Sequence, residues 1–258
     1  MPKKSLGQNF LSDDNILAEI AASANLTPDD HVLEIGPGLG SLTRHLAKSA
    51  GQVIAIELDD RLIPILKAQV KGLDNVIILH GDILKLEPTA YLPIGYKVVA
   101  NVPYYITGAI LRHLLTTEPK PSQMIMTVQR EVATRLTALP GKMSVLSVTA
   151  QYYAQISKVF TIKAGSFWPP PEVDSSVISL DVRERYLLET NEEEALFRVV
   201  KVGFSQKRKQ LQKNLRAIID SRSDIQMVLE LAGIDGRRRA ETLSVDEWIA
   251  LFTAIKQI

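Results

Sequence analysis

The segment that most constrains the fold is a short apolar run that passes directly into a glycine-rich turn. Residues 31–35 predict a buried strand, and glycines follow at positions 36, 38 and 40. Glycine lets the backbone turn sharply and approach a ligand closely, and the next residues, 41–50, predict a helix. A strand, a glycine turn and a helix in this order indicate the ligand-binding start of an α/β sheet.

The same alternation of strands and helices continues through the first half of the chain. Further apolar strands are predicted at 53–56, 75–79, 96–100 and 123–128, with helices between most of them. This order is typical of a mostly parallel sheet with right-handed crossovers. Two later strands, 157–162 and 175–182, predict an antiparallel hairpin at one edge of the sheet.

The C-terminal part has a helical pattern only. We therefore place a domain boundary near residues 185–190, with a sheet domain over 1–187 and a small helical domain over 188–258. Ser244 and Glu247 fit a capping box for a last helix that carries Trp248 and Leu251.

The composition narrows the functional classes. The 258 residues include no cysteine, and the four histidines have no ligand-like spacing, so we expect no disulfide and no metal. No apolar run reaches the roughly 18 residues of a membrane span, and the N-terminus lacks the apolar core of a signal peptide. We expect a cytoplasmic protein without a membrane partner.

Acidic residues at the predicted strand ends indicate the ligand. Glu57 closes the second strand about 20 residues after the glycine turn, where an acidic side chain suits a ribose diol. The third glycine comes one residue early for a dinucleotide fingerprint, which favours a nucleoside without a pyrophosphate, such as S-adenosylmethionine. Asp82 closes the third strand and is placed to accept from an adenine amino group. A glycine turn in an unrelated α/β enzyme is the alternative.

The segment Asn101-Val102-Pro103-Tyr104-Tyr105 follows the strand at 96–100. It places a side-chain carbonyl, a backbone carbonyl and an aromatic face side by side. Two acceptors and a stacking ring can hold a flat base by its exocyclic amino group. The alternative is an ordinary strand-to-loop turn, because Asn and Pro are common turn residues.

Four motifs resemble one known family, the KsgA/RsmA small-subunit rRNA adenine dimethyltransferases. They are residues 4–11 (KSLGQNFL), 34–43 (EIGPGLGSLT), 101–105 (NVPYY) and 167–171 (FWPPP), the last followed by Val173-Asp174-Ser175. The likeness runs in register from Lys3 to the helical segment at 203–211. Glu172 departs from the family, which usually has lysine there, and this puts one local RNA contact in doubt.

The resemblance implies a class I (Rossmann-like) S-adenosylmethionine-dependent methyltransferase sheet with an all-helical C-terminal domain. Residues 1–11 would fold over the cofactor. The implied cofactor contacts are Asn9, Leu11, Gly36, Gly38, Glu57, Asp82 and Asn101.

The resemblance also implies the substrate and the reaction. Two adjacent adenosines in the 3′-terminal hairpin loop of small-subunit rRNA would each gain two methyl groups during small-subunit biogenesis. The partner would be this rRNA or a pre-30S particle, and we expect a monomer.

Four residues are the candidate catalytic groups. The side-chain oxygen of Asn101 and the backbone carbonyl of Pro103 would accept the two hydrogens of the adenine amino group. Tyr104 would stack on one face of the base and Phe167 on the other. For Phe167 the alternative is a hydrophobic residue that packs at the start of a proline-rich loop.

Basic residues are concentrated after position 200. Six occur between 201 and 216 without any acid, and three more follow together: Lys201, Lys207, Arg208, Lys209, Lys213 and Arg216, then Arg237, Arg238 and Arg239. We interpret both groups as contacts to RNA phosphates, and the first group as an uninterrupted basic helix. A solvated helix face is the alternative.

Other functions remain open from the residues alone. An Erm-type enzyme would use the same chemistry on large-subunit rRNA, and a DNA adenine methyltransferase would need a larger recognition region. A non-catalytic ribosome-assembly or nucleic-acid-binding factor could retain the pocket, but the intact Asn101, Pro103 and Tyr104 argue against it.

Overall fold

The computed structural model describes residues 2–3, 6–184 and 188–258, with only the backbone of residues 190 and 191. The strands are β1 (Phe10–Leu11), β2 (His31–Ile35), β3 (Gln52–Glu57), β4 (Val76–His80), β5 (Lys97–Asn101), β6 (Gln123–Gln129), β7 (Ala154–Ile162), β8 (Phe167–Trp168) and β9 (Ser175–Val182). Lys4 and Ser5 of the first motif, and residues 185–187 at the expected domain boundary, lie outside the described residues.

The helices lie between these strands and after them. They are α1 (Asp14–Ser23), α2 (Ser41–Ala47), α3 (Ile63–Gln69), α4 (Thr107–Thr116), α5 (Arg130–Leu136), α6 (Val145–Tyr153), α7 (Thr190–Gly203), α8 (Leu211–Asn214), α9 (Arg222–Leu231) and α10 (Val245–Ile255). No helix in the described ranges is long and apolar enough to cross a membrane.

Seven strands form the central sheet, in the order β4-β3-β2-β5-β6-β9-β7. The five strands from β4 to β6 run parallel, whereas β9 pairs antiparallel with both β6 and β7. The prediction of a mostly parallel sheet with an antiparallel edge hairpin is confirmed. Central strands such as β2 are almost wholly buried, as expected when both faces of a parallel sheet are covered.

On one face of this sheet, the apolar side chains of the core are followed by polar side chains at the carboxyl ends of the strands. Val99 and Ile125 are partners in neighbouring strands and belong to the apolar core with residues of α1 and α2. Side chains alternate along a strand, so Asn101 and Thr127, two positions further on, continue the same face. The carboxyl ends of the strands therefore present polar groups immediately above the core.

The N-terminal segment forms a small second sheet. Strand β1 pairs antiparallel with β8, with Phe10 opposite Trp168 and Leu11 opposite Phe167. Leu11 and Phe167 are both buried in the core, whereas Trp168 is 56% exposed. This pairing joins the N-terminal segment to residues that lie about 157 positions later in the chain.

The chain divides into two compact units. The first contains the described residues of 1–133 together with 154–184, and the second contains 134–153 together with 188–258. The expected boundary assigned 134–153 to the sheet domain, so the second unit is larger than the sequence indicates. The reason is that α6 packs on α7: Tyr153 donates to Glu193 (2.6 Å), and the rings of Tyr152 and Phe197 lie 5.5 Å apart, edge to face.

The C-terminal helix α10 organises the core of the second unit. Its predicted capping box is present, because Ser244 accepts the Glu247 N–H and Glu247 accepts the Ser244 N–H. Trp248 is fully buried and stacks on Phe204, with ring centroids 5.6 Å apart. A Cβ on Gly203 would collide with the Trp248 ring, so the end of α7 requires glycine.

Candidate active site

The glycine turn between β2 and α2 leaves one open side. Gly36, Gly38 and Gly40 all have positive φ angles, of 67°, 58° and 80°. A Cβ on Gly38 would lie 3.0 Å from the ring of Phe10, whereas a Cβ on Gly36 would meet nothing within 4 Å. Because Gly36 also lines a cavity, the turn provides space that any larger residue would reduce.

Glu57, at the end of β3, is a buried acceptor beside this turn. Glu57 is only 5% exposed, and its two carboxylate oxygens accept hydrogen bonds from the N–H groups of Gly38 (3.0 Å) and Asp59 (2.9 Å). Burial raises the pKa of Glu57, while the backbone donors act in the opposite direction. Each carboxylate oxygen can accept a second hydrogen bond, which suits a pair of ribose hydroxyls.

The N-terminal segment forms one wall of the cavity. The Gln8 side-chain amide donates a hydrogen bond to Asp59 (2.9 Å), and two nitrogens of Arg61 donate to the same carboxylate. Hydrogen bonds from Arg61, and then from Gln8, hold the pKa of Asp59 far below its usual range. Gly7 packs against Tyr105, since a Cβ on Gly7 would lie 3.2 Å from that ring.

One cavity in the first unit is lined by all of the expected cofactor residues. They are Asn9, Leu11, Gly36, Gly38, Glu57, Asp82 and Asn101, together with Pro103 and Tyr104. Asp82 is held in place because its carboxylate accepts the Leu84 N–H (3.0 Å). The structure brings these residues together, and their contacts with a ligand stay predictions.

Glu34 is a further cavity residue that the motif interpretation did not assign. It is 1% exposed, and its Oε2 has no hydrogen-bond partner among the described residues. Burial raises the pKa of Glu34 to about 8, with a smaller contribution from Glu57. A buried polar atom without a partner is costly, so the cavity fits a ligand that brings a donor or a positive charge. S-adenosylmethionine, which carries a sulfonium and an ammonium, fits this requirement.

The segment after β5 holds acceptors beside the cavity. Asn101 is the register partner of Thr127, and no described residue makes a hydrogen bond to its side-chain amide. Among the described residues, the Pro103 carbonyl accepts only a long bond from the Ile106 N–H (3.3 Å), which leaves it able to accept another.

Tyr104 is held firmly beside these acceptors. Its hydroxyl shares a hydrogen bond of 2.5 Å with Ser175, the first residue of β9. Burial raises the pKa of Tyr104, so the phenol is neutral at physiological pH. The ring is therefore anchored to the central sheet rather than free to rotate with the loop.

Phe167 does not occupy the expected place. It is 4% exposed, belongs to the apolar core and does not line the cavity. The pairing of β8 with β1 turns Phe167 inwards opposite Leu11 and turns its neighbour Trp168 outwards. The expectation that Phe167 supplies a second stacking face is corrected accordingly.

The basic residues between 201 and 216 are not on one continuous helix. Helix α7 ends at Gly203, a turn region follows, and α8 begins at Leu211. The prediction of an uninterrupted basic helix is therefore wrong. All six side chains are nevertheless exposed, and none of them makes an ion pair with another described residue: Lys201, Lys207, Arg208, Lys209, Lys213 and Arg216.

The cluster at 237–239 has a different environment. Arg238 pairs with both oxygens of Glu247 and donates to the Thr242 carbonyl (2.6 Å). Arg237 pairs with Asp235 (3.1 Å), and Arg239 lies 3.9 Å from Glu241. The sequence interpretation assigned these three arginines to RNA binding, and in the structure each of them has an acidic neighbour.

Three site residues escaped the sequence interpretation. Glu34 carries a visible signal, because it is the one acid within an apolar strand. Gln8 and Ser175 lie in the family motifs, but the sequence gives no sign of their bonds, since their partners Asp59 and Tyr104 are distant in the chain.

The fold and the site define a class of enzyme. A mostly parallel sheet has a glycine turn after β2, a buried acid at the end of β3 and paired acceptors after β5. This arrangement is that of a Rossmann-like methyltransferase. The chain belongs to the ribosomal RNA adenine dimethylase family, whose model matches residues 2–257.

Individual proteins agree with this assignment. The chain is 44% identical over 249 residues to the ribosomal RNA small subunit methyltransferase A of Dehalococcoides mccartyi, covering 95% of this chain and 86% of that protein. The crystal structure of the 23S rRNA methyltransferase ErmE is similar with a TM-score of 0.79 and 33% identity, covering 96% of this chain and 100% of that one. A dimethyladenosine transferase from Plasmodium falciparum has a TM-score of 0.86 and 26% identity, covering 96% and 98%.

Proposed function

We propose that the chain transfers methyl groups from S-adenosylmethionine to the exocyclic amino groups of two adjacent adenosines in the 3′-terminal hairpin loop of small-subunit rRNA. The 44% identity to a small subunit methyltransferase A supports the choice of RNA. The observation that carries the chemistry is the Asn101 amide, which has no hydrogen-bond partner in the described part of the chain and lines the same cavity as the buried Glu57.

The chain's own groups account for cofactor binding. Glu57 accepts from the ribose hydroxyls and Asp82 accepts from the adenine amino group of the cofactor. Glu34 offers its unpartnered oxygen to the cationic part. When bound, S-adenosylmethionine supplies a methyl group attached to a sulfonium, which departs as a neutral thioether without help from an acid.

Positioning of the target base is the main catalytic task. The amino nitrogen of adenine is a poor nucleophile because its lone pair is delocalised into the ring. Asn101 Oδ1 and the Pro103 carbonyl accept its two hydrogens, which favours a pyramidal nitrogen with a directed lone pair. Tyr104 stacks on the unstacked base, a contact worth about 1–3 kcal/mol.

The second methylation uses the same groups. A monomethylated amine retains one N–H, so one of the two acceptors is sufficient. No strong base is required, because the product ammonium is acidic enough to lose its proton to water.

The exposed cations between 201 and 216 bind RNA phosphates. Such contacts hold the substrate without reading its sequence. We infer that a monomer acts in the cytoplasm on small-subunit rRNA or on a pre-30S particle.

One experiment separates the candidate functions. Labelled S-adenosylmethionine is incubated with the protein and unmethylated small subunits, large-subunit rRNA or duplex DNA. We expect label in small subunits only, recovered as two dimethyladenosines. Label in large-subunit rRNA would favour the Erm-type alternative, which the similarity to ErmE makes the second candidate. Absence of label from every substrate would favour the remaining alternative, a non-catalytic ribosome-assembly or nucleic-acid-binding factor.

A further inference from the structure

Gln129, the last residue of β6, faces a cavity to which no role has been assigned. This second cavity is lined by Gly7, Asn9, Tyr104, Tyr105 and Gln129. Four of these residues also line the cofactor cavity, so the two cavities adjoin, but Gln129 lines only the second. Gln129 is half-buried, and no described residue makes a hydrogen bond to its side-chain amide.

The sheet places Gln129 beside the groups that hold the target base. Gln129 is the register partner of Ser175, and directly opposite residues of an antiparallel pair point to the same face. Ser175 anchors the Tyr104 hydroxyl. Gln129 and Thr127 share a face of β6, and Thr127 is the partner of Asn101. Asn101, Tyr104 and Gln129 therefore surround one end of the sheet on the same face.

The chemistry of this cavity suits one edge of an adenine. Two tyrosine rings border it, and Gln129 supplies a neutral amide with both donors and an acceptor. In the proposed function, Asn101 and the Pro103 carbonyl already take both hydrogens of the amino group. The polar atom left on the Watson–Crick edge of adenine is the ring nitrogen N1, an acceptor that requires a donor.

We propose that Gln129 reads the target base by donating an Nε2–H hydrogen bond to N1 of the adenine. The assignment rests on the proposed function, because it takes adenine as the substrate. Enzymes that act on unstacked bases commonly recognise them through this edge. Gln129 is thus a base-recognition residue, separate from the groups that hold the cofactor.

The test measures two enzymes, the wild type and one variant, on each of three RNA substrates. Unmethylated small subunits are assembled with rRNA that carries adenosine, 1-deazaadenosine or 7-deazaadenosine at the target sites, and kcat/KM is measured for the wild type and Gln129→Ala. With adenosine, the variant should lose about tenfold. With 1-deazaadenosine, which has a C–H in place of N1, the wild type should lose a similar factor and the variant should lose nothing further. With 7-deazaadenosine, the variant should again lose about tenfold.

An equal loss in the variant on adenosine and on 1-deazaadenosine would overturn the assignment. Gln123→Ala is the matched control, because Gln123 lies on the same face at the other end of β6 and bonds Asp181 (3.1 Å). It should behave as the wild type on all three RNAs. Unchanged binding of S-adenosylhomocysteine to Gln129→Ala would show that the fold and the cofactor cavity are intact.

Failure of the proposed function is a distinct result. Wild-type activity on large-subunit rRNA alone would refute the choice of RNA. The comparison of wild type and Gln129→Ala on adenosine and 1-deazaadenosine in that RNA would still decide the role of Gln129. Absence of wild-type activity on any adenine would overturn both proposals.

Discussion

Two regions of the molecule are proposed to contact RNA, and their side chains differ in charge and in burial. The segment 101–105 offers partly buried neutral acceptors beside the ring of Tyr104, whose hydroxyl is held by Ser175. The segment 201–216 offers six exposed cations without ion-pair partners among the described residues. Methyl transfer requires a defined geometry of the reacting atoms, whereas a phosphate backbone requires mainly nearby positive charge.

This difference separates two kinds of mutational effect. A change in segment 101–105 should reduce turnover while RNA and cofactor still bind. A change in segment 201–216 should weaken RNA binding and reduce its dependence on salt. Weakened RNA binding from a change in segment 101–105, or reduced turnover without weakened binding from a change in segment 201–216, would contradict this distinction.

The largest effect is expected for Asn101→Ala. Loss of the side-chain acceptor should lower single-turnover methylation by about 10²–10³-fold, since removal of one preorganised polar group has that cost elsewhere. Calorimetry should show nearly unchanged S-adenosylmethionine binding, because Asn101 is one of seven expected cofactor contacts and the others, Glu57 and Asp82 among them, remain. Near-normal methylation by this variant would contradict the proposed role.

The next effect concerns the exposed cations. The variant K207E/R208E/K209E should bind small-subunit RNA about tenfold or more weakly at moderate salt, because three phosphate contacts are reversed. The plot of log affinity against log salt should also be less steep. Arg237→Glu is the control, since Arg237 is already paired with Asp235. A salt slope equal to that of the wild type would count against RNA binding here.

A smaller effect, on stability, should distinguish two neighbouring arginines. Arg238→Ala should lower the free energy of unfolding by about 1–2 kcal/mol, because it breaks bonds to Glu247 and to the Thr242 carbonyl. Arg237→Ala should change it by less than about 0.5 kcal/mol, since its pair with Asp235 is exposed. Urea unfolding provides the measurement, and equal losses would refute the distinction.

The pH dependence of the Arg238 effect follows from its partner. Arg238 lowers the pKa of Glu247 chiefly through their hydrogen bond. A carboxyl whose pKa is lowered by folding stabilises the folded state above its unfolded pKa of about 4.3 and loses that contribution as the pH falls. The difference between wild type and Arg238→Ala should therefore shrink below about pH 4.

The smallest effect is expected for Tyr104→Phe. The ring remains for stacking, and only the bond between its hydroxyl and Ser175 is lost. We expect kcat/KM to fall about threefold, less than for Tyr104→Ala, which removes the stacking ring as well. A loss as large as that of Tyr104→Ala would assign the hydroxyl a more direct role.

Much of the first unit follows from local sequence patterns. Each parallel strand is a short apolar run, and ligand sites lie at the carboxyl ends of such strands. Glu57, Asp82 and Asn101 could therefore be assigned to one cavity from their positions at strand ends, and the structure brings them together.

The features that escaped prediction depend on contacts between distant residues. The pairing of Phe10–Leu11 with Phe167–Trp168, which buries Phe167, has no local signal. The charge run at 237–239 gave no indication that Glu247 would pair with Arg238. The break after Gly203 was missed because a basic composition does not distinguish a helix from a turn.

The N-terminal segment has a consequence for the number of donor molecules that one RNA requires. Four methyl groups on two adenosines require four donor molecules, so the cofactor cavity must be refilled three times. Residues 8–11 are held beside it by a two-residue ladder and by the bond from Gln8 to Asp59, and neither contact is a pairing of the central sheet. Tyr104, in contrast, is tied to β9 of that sheet. The segment beside the donor and the ring proposed to hold the base therefore have separate supports, so renewal of the methyl donor does not require the Tyr104 anchor to break.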